Sequence, residues 1–499
     1  MKFTLTLLLL LTVSTVFVLS VKIPSDSKVG SELINGWLEL RGEVADINST
    51  QVMIEEVLTL TLFLAVIALT VIDMKLRYFA SFLAVATVTF LGVAPPQKLI
   101  AGVDWALILF LIGSMTLVTV LRRLGVFTYL AAELVRLCRG SATLLIVFIG
   151  ILAWFMAMVV GEVTSIVYVA MLIFELSRLV KFDPKELLIF SVLATNTGSA
   201  ALPVGNPVSI YLAFATGLSA RDFLVNAFPL SLINLIALLS TYLVLRRGYV
   251  KDLQTHMIKN RDGVEAYVTR YVVNLTSQER KTRVVGLAIL SVFLALVTLT
   301  HNIAEALLNI AGFEVDPNAL LAIVPYICLV FTAPFYDISE YSEIISRGVE
   351  WTSITFFMML LMLSYSLAWS GVVVRLAYLM MESSGGVTTP NTLILNAVLV
   401  FLSAALSSVL DNLSLVAALT PAVKLIAAVL NNRGVFWGLL FGAVFGGNYT
   451  PIGSTANIVA ISLSEKRKLR IGWGEWLKLA LITTSAQLVI AYLWAFITR

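Results

Sequence analysis

Residues 446–457 read Gly446-Gly447-Asn448-Tyr449-Thr450-Pro451-Ile452-Gly453-Ser454-Thr455-Ala456-Asn457, and they interrupt an apolar run that extends from 435 to 461. A regular helix cannot pass through them. Glycine weakens a helix interior by about 1 kcal/mol and proline by about 3 kcal/mol. At bilayer depth, non-helical backbone is tolerated only where protein covers it or where it lines a wet cavity. A second run, 187–213, is broken in the same way by Ala194-Thr195-Asn196-Thr197-Gly198-Ser199 and then Pro203-Val204-Gly205-Asn206-Pro207. A packing kink would explain one such segment. Two in matching positions predict a pair of helices unwound midway for binding. Free NH groups at a half-helix N-terminus favour an anion, and free carbonyls favour a cation. Asn, Ser and Thr add ligands suited to Na⁺ and to hydrogen bonds with an oxyanion.

The rest of the chain fits that setting. Of its 499 residues, 59% are hydrophobic and 13% charged. A soluble domain carries about 25% charged residues, so a soluble enzyme, a nucleic-acid-binding protein and a disordered scaffold are excluded. Hydropathy marks spans near 55–73, 78–94, 105–121, 187–213, 223–245, 284–300, 318–334, 352–369, 435–461 and 474–497. A bilayer crossing takes about 20 apolar residues.

Two further apolar stretches, 143–180 and 392–430, are each broken at the centre by polar residues. One centre is Gly161-Glu162-Val163-Thr164, the other Asp411-Asn412-Leu413-Ser414. Each stretch is either two spans with a buried polar turn or a re-entrant hairpin. A carboxylate at mid-bilayer costs about 2.5–3.5 kcal/mol, so such residues usually have a function. Glu162 and Asp411 are therefore candidates for binding a cation or taking up a proton, with Thr164 and Asn412 beside them.

The polar interruptions recur in order. Leu124-Gly125-Val126 follows the third span and Ser370-Gly371-Val372 the eighth. Glu162 matches Asp411, Asn196 matches Asn448, and Asn206 matches Asn457, at offsets close to half the chain. Five spans per half is an odd number, so the second half must sit upside down. The expected fold is an all-α polytopic membrane protein of two inverted repeats, each with five transmembrane helices, a re-entrant hairpin and a broken helix. The repeats would occupy 53–246 and 284–499, joined by a cytoplasmic linker at 247–283.

Residues 1–21 resemble a signal peptide or signal anchor, which would place 22–52 outside the cell membrane. Under that orientation the inside loops hold 23 of the 34 Lys and Arg, as the positive-inside rule requires. Trp473 and Trp476 look like interfacial anchors, and His301 looks structural. The two cysteines, Cys138 and Cys328, lie in or beside apolar stretches and suggest buried thiols. With two histidines, no nucleophile–base pair and no phosphate-binding Gly-x4-Gly-Lys motif, neither an enzyme nor an ATP-driven pump within this chain is expected.

The chain resembles the ion transporter superfamily, in the branch of arsenite permeases, NhaD-type sodium–proton antiporters and the melanosomal P protein. The resemblance is carried by Ser407-Ser408-Val409-Leu410-Asp411-Asn412, by Phe445-Gly446-Gly447-Asn448, by Pro451 through Asn457, and by Ser464-Glu465-Lys466. In the first half Thr195-Asn196-Thr197-Gly198 and Gly205-Asn206-Pro207 match more loosely. The domain name attached to such chains is citrate transporter-like. The resemblance implies ion and substrate sites where hairpin tips meet broken helices. Asp411, Asn412, Asn448, Thr450, Ser454 and Asn457 would line one half-site, and Asn196, Thr197, Ser199 and Asn206 the other. A Na⁺ ion would sit near Asn196, Asn448 and Asp411. This chain departs from the branch in having Gly161-Glu162 where an acid–amide pair is frequent, and Asn206 where an acid is common.

The expected function is secondary active transport of a small ion by alternating access. An anion of arsenite or citrate/dicarboxylate type is favoured over sodium–proton antiport through Asp411 and Glu162, and over a passive channel. The expected partners are the lipid bilayer and the small ion, with a homodimer and a separate ATPase subunit as further options and no nucleic acid. No cofactor is expected beyond Na⁺ or H⁺ as coupling ion.

Overall fold

The structure is a computed structural model that describes residues 2–24, 28–73, 76–385 and 391–497. The protein is an all-helical polytopic membrane protein, and the described residues contain no strand. Among the described residues, ten helices are long and apolar enough to cross a bilayer. They are not the ten spans marked by hydropathy. Both arms of the first hairpin, Ala142–Val160 and Glu162–Val180, qualify at 19 residues each, as does Asn412–Leu430 of the second. At 1.5 Å per residue such an arm is about 28 Å long, close to the thickness of the hydrocarbon core. The expected span at 78–94 is a shorter helix, Arg77–Phe90.

Local chemistry sets the helix limits. Ser49 and Ser141 each accept the backbone NH three residues on, which satisfies an otherwise orphaned donor. Thr276 and Glu279 form a reciprocal capping box at the start of Ser277–Ala311. Inside the apolar spans, threonine hydroxyls are satisfied by the carbonyl four residues back, as at Thr61 and Thr70. One series of elements occurs twice. Trp105–Arg123, Gly125 and Val126–Leu137 precede the first hairpin; Trp351–Ser370, Gly371 and Val372–Ser383 precede the second. Both linking glycines have positive φ, +74° and +107°. The linker expected at 247–283 is itself helical over Arg247–Lys259 and Arg261–Val268.

The described residues form two compact units, and each draws on both halves of the chain. One comprises residues 1–105, 351–443 and 491–499. In it the helix Lys2–Ser20 packs on Thr50–Ile72, and Trp351–Ser370 packs on Thr50–Ile72 and Arg77–Phe90. The second hairpin, Thr392–Ser407 and Asn412–Leu430, belongs here. At its core Arg375 and Glu56 form an ion pair with no side-chain exposure. Arg375 Nε donates to both Glu56 oxygens at 2.8 Å, and its two Nη atoms donate to Val21 O and Ile47 O at 2.6 Å. The guanidinium thus fixes the chain on either side of the Lys28–Arg41 helix.

The other unit comprises residues 106–350 and 444–490. Its centre is the Lys185–Ser199 helix, every residue of which from Leu187 onward is buried. This helix packs on both arms of the first hairpin, on Phe228–Leu245 and on Thr455–Glu465.

Candidate functional site

Both interrupted runs are broken as expected. The first has helices Lys185–Ser199 and Pro207–Thr216, with a short 3-10 turn at Pro203–Gly205 between them. The second has Val435–Gly446 and Thr455–Glu465, separated by residues 447–454. Asn196 and Thr197 lie in the last turn of the helix before the break, whereas Asn448 lies in the unwound segment. Each second half-helix caps itself. Asn206 Oδ1 accepts Ser209 N at 2.6 Å, and Ser454 Oγ accepts Asn457 N at 3.3 Å. By cap position Asn206 corresponds to Ser454, which replaces the match with Asn457. In the hairpins Gly161 and Asp411 occupy the N-cap positions, neither with a side-chain cap bond, so Glu162 corresponds by position to Asn412.

The two breaks are joined by side chains. Asn196 Nδ2 lies 2.8 Å from Asn448 Oδ1, 3.0 Å from Ser454 Oγ and 2.9 Å from Asn457 Oδ1. Ser454 Oγ also donates to Asn457 Oδ1 at 2.7 Å. Asn457 Nδ2 donates to Gly447 O and Thr450 O, which fixes its Oδ1 toward Asn196. Asn196, Asn448, Ser454 and Asn457 are each at most 1% exposed. None of their hydrogen-bond partners is ionisable.

A second set of bonds surrounds this cluster. Ser199 Oγ donates to Asn196 O and accepts from Asn206 Nδ2. Gln487 Nε2 donates to Thr197 Oγ1 at 2.8 Å, and Asn448 Nδ2 reaches Gln487 Oε1 at 3.3 Å. Trp154 Nε1 donates to Ser231 Oγ, which donates to Thr197 O. Trp476 is fully buried, and its Nε1 donates to Asn448 O at 3.0 Å. This corrects the expectation for Trp476: its NH holds the second break, while Trp473 is exposed.

The hairpin tips divide between the units. Gly161 turns the first tip with φ +90° and ψ +154°, a conformation open to glycine alone. A Cβ on it would lie 3.8 Å from Gly205 O, so the tip adjoins the first break. Glu162 follows as the first residue of its helix and is 7% exposed. Thr164 is half-buried on the same helix and makes no hydrogen bond to the cluster. Asp411 and Asn412 belong to the other unit. There Ser407 Oγ lies beside Asn412 Oδ1 and 2.6 Å from Ala443 O, next to the helix that leads into the second break. Asn412 Nδ2 is buried and has no partner among the described residues.

Sequence reasoning missed Gln487 and Ser231 and gave Trp476 a different role. Gln487 and Ser231 sit inside spans, and only the fold brings them to the breaks. It also missed Glu56 and Arg375, which resemble solvated span-end charges.

Comparison with known proteins identifies the family. A family profile described as Citrate transporter matches residues 52–437 and 333–499. An uncharacterized transporter of Mycobacterium tuberculosis is 28% identical over 448 residues, covering 88% of this chain and 98% of the relative. The human P protein is 25% identical, covering 91% of this chain and 60% of that protein. The crystal structure of the Alcanivorax borkumensis YdaH transporter aligns with a TM-score of 0.49 at 17% identity, covering 88% of this chain and 97% of that one. With the profile match spanning nearly all of its membrane helices, the chain belongs to the citrate transporter family and is an integral membrane transporter.

Proposed function

We propose that this transporter moves a small anion, a citrate- or dicarboxylate-like organic acid or an arsenite-like oxyanion, by alternating access of two inverted repeats at 53–246 and 284–499. The observation that carries the proposal is the meeting of two broken helices through Asn196, Asn448, Ser454 and Asn457, a buried cluster with no ionisable member. Amides and hydroxyls can donate to an oxyanion without a fixed negative charge opposing it. Asn206 caps the helix after the first break as a neutral amide, so it brings no repulsive charge there.

The same cluster supports Na⁺ as coupling ion. Asn457 is fixed with its Oδ1 inward. Rotation of the Asn196 amide would set its Oδ1 against Asn448 Oδ1, Ser454 Oγ and Asn457 Oδ1, an all-oxygen set that a hard cation holds together. Proteoliposomes loaded with unlabelled citrate or arsenite and diluted into labelled anion test the reading. Saturable counterflow is the expected result.

A second reading is sodium–proton antiport. It is favoured by Glu162, a carboxyl buried to 7% exposure beside the first break. Sodium-driven proton movement that is abolished by Asp411→Asn and Glu162→Gln, without anion counterflow, would select it. Single-channel currents without counterflow would select a passive channel. No catalytic role is proposed.

A further inference from the structure

The second unit carries another concavity at the far end of the helices that hold the Asn cluster. The Lys185–Ser199 helix starts there and the Thr455–Glu465 helix ends there. Lys185 is eleven residues from Asn196, about 16 Å along the helix at 1.5 Å per residue. The turn at 181–184 and the loop after Glu465 frame a cleft of about 810 Å³. Its lining includes Phe174, Arg178, Phe182, Lys185, Arg467 and Leu469. A neighbouring cleft of about 870 Å³ shares Lys185 and Leu469 and adds Lys468 and Arg470.

The walls are built, not loose. Ser177 Oγ donates to Phe182 O at 2.6 Å, and Tyr249 OH donates to Asp183 O at 2.8 Å. The loop after the second broken helix closes through Leu469 N to Ser464 O at 3.0 Å. The Arg467 guanidinium stacks 4.2 Å above the Phe174 ring centroid, which fixes its plane and leaves its NH edge for a ligand.

Charge in the cleft is unevenly committed. Glu175 is engaged by Arg270 at 3.6 Å and by Tyr271 OH at 3.3 Å. Asp183 Oδ1 is taken by Lys185 N, and Lys185 Nζ lies 3.7 Å from Glu475. Glu465 lines the adjoining cleft. Arg178 and Arg467 form no ion pair with any described residue. Two uncommitted guanidiniums facing one cavity are suited to an anion with more than one charged oxygen pair, because each fork holds a carboxylate or phosphate edge. The excess of basic side chains also concentrates such an anion ahead of the transport site.

We propose that this cleft binds a small soluble polyanion, a di- or tricarboxylate or inorganic phosphate, through Arg178 and Arg467, as a site separate from the Asn cluster. Binding here does not depend on the cargo being an anion; only its role as a collecting site rests on that reading. The test uses the full chain in uncharged detergent. A cysteine at the exposed rim, Met171→Cys, is labelled with an environment-sensitive maleimide, since Cys138 and Cys328 are buried. Citrate and phosphate are titrated against potassium chloride at matched ionic strength.

The expected result is a saturable signal change with citrate or phosphate and none with chloride. Arg178→Gln/Arg467→Gln weakens it at least tenfold, while Lys466→Gln, outside the cleft, leaves it unchanged. Circular dichroism and gel filtration confirm that the variants are folded. An equal response to chloride, or an unchanged response in the folded double variant, overturns the site. So does a response only to phosphatidylglycerol with citrate and phosphate silent, which would make the cleft a lipid contact. Anion counterflow measured in parallel separates the outcomes: binding without counterflow sinks the cargo reading and keeps the site, and counterflow without binding does the reverse.

Discussion

Asn196 of the first broken helix donates its amide NH to the side-chain oxygen of Asn448 in the second break, at 2.8 Å and fully buried. The two residues are 252 positions apart and lie in matching interruptions of two apolar runs. Their bond ties the breaks into one polar site, and any strain or charge introduced at one break is felt at the other.

Trp476 tests how far that site extends. Its indole NH is the side-chain donor to Asn448 O. Trp476→Phe keeps an aromatic ring but removes the donor, leaving a buried carbonyl short of one hydrogen bond, a cost of about 1–3 kcal/mol. The expected outcome is a lower thermal unfolding midpoint together with slower uptake, while Trp473→Phe changes neither. Equal behaviour of the two variants would restore both tryptophans to the role of membrane anchors.

The Glu56–Arg375 pair makes a separate prediction in the other unit. Arg375→Met leaves Glu56 buried and uncompensated and deprives Val21 O and Ile47 O of their donor. Breaking a buried pair from one side costs about 3–5 kcal/mol, whereas apolar replacement of both partners is often near neutral. Thermal unfolding of purified protein should therefore show a large loss for Arg375→Met and a substantial recovery for Glu56→Leu/Arg375→Met. No recovery in the double variant would mean that the carbonyl contacts, not the charge pair, hold the chain.

Gly198 stands where the first broken helix crosses the first hairpin. A Cβ there would fall 2.1 Å from Trp154 O, a backbone atom that cannot move aside cheaply. Gly198→Ala is expected to abolish recovery of folded protein from membranes. Gly474→Ala, which meets nothing within 4 Å, should express normally. Normal yield and gel-filtration behaviour of Gly198→Ala would show that these helices pack less tightly than described.

Cys138 offers a pH test outside the spans. Burial pushes its thiol up from the usual range to about 12. A raised thiol pKa keeps the unreactive protonated form in excess at every pH below that value. In a Cys328→Ser background, maleimide at pH 8 should leave Cys138 unmodified in native protein and label it fully in denaturant, as read by mass spectrometry. Rapid native labelling would contradict the packing around Cys138.

The breaks themselves were legible because Gly, Pro and Asn in an apolar run have few physical meanings at bilayer depth. Asn196, Asn448, Ser454 and Asn457 were recognisable by residue type and position, and the structure brings them together. The cap register was less legible: Asn206 and Ser454 occupy the same place on their helices, but an amide and a hydroxyl do not align by identity. Arg375 and Gln487 were illegible for a different reason. Their partners, Glu56 and Thr197, lie about 300 residues away, and a single polar residue carries no local sign of such a partner.

The most direct measurement of the central claim is anion counterflow in proteoliposomes with wild type and Asn196→Ala side by side. The account predicts saturable exchange of labelled citrate or arsenite by wild type, at least tenfold slower exchange by Asn196→Ala, and a modest loss of stability of about 1–3 kcal/mol from the unpaired Asn448 oxygen. Undiminished exchange by folded Asn196→Ala, or sodium-driven proton movement with no anion exchange by wild type, would contradict it.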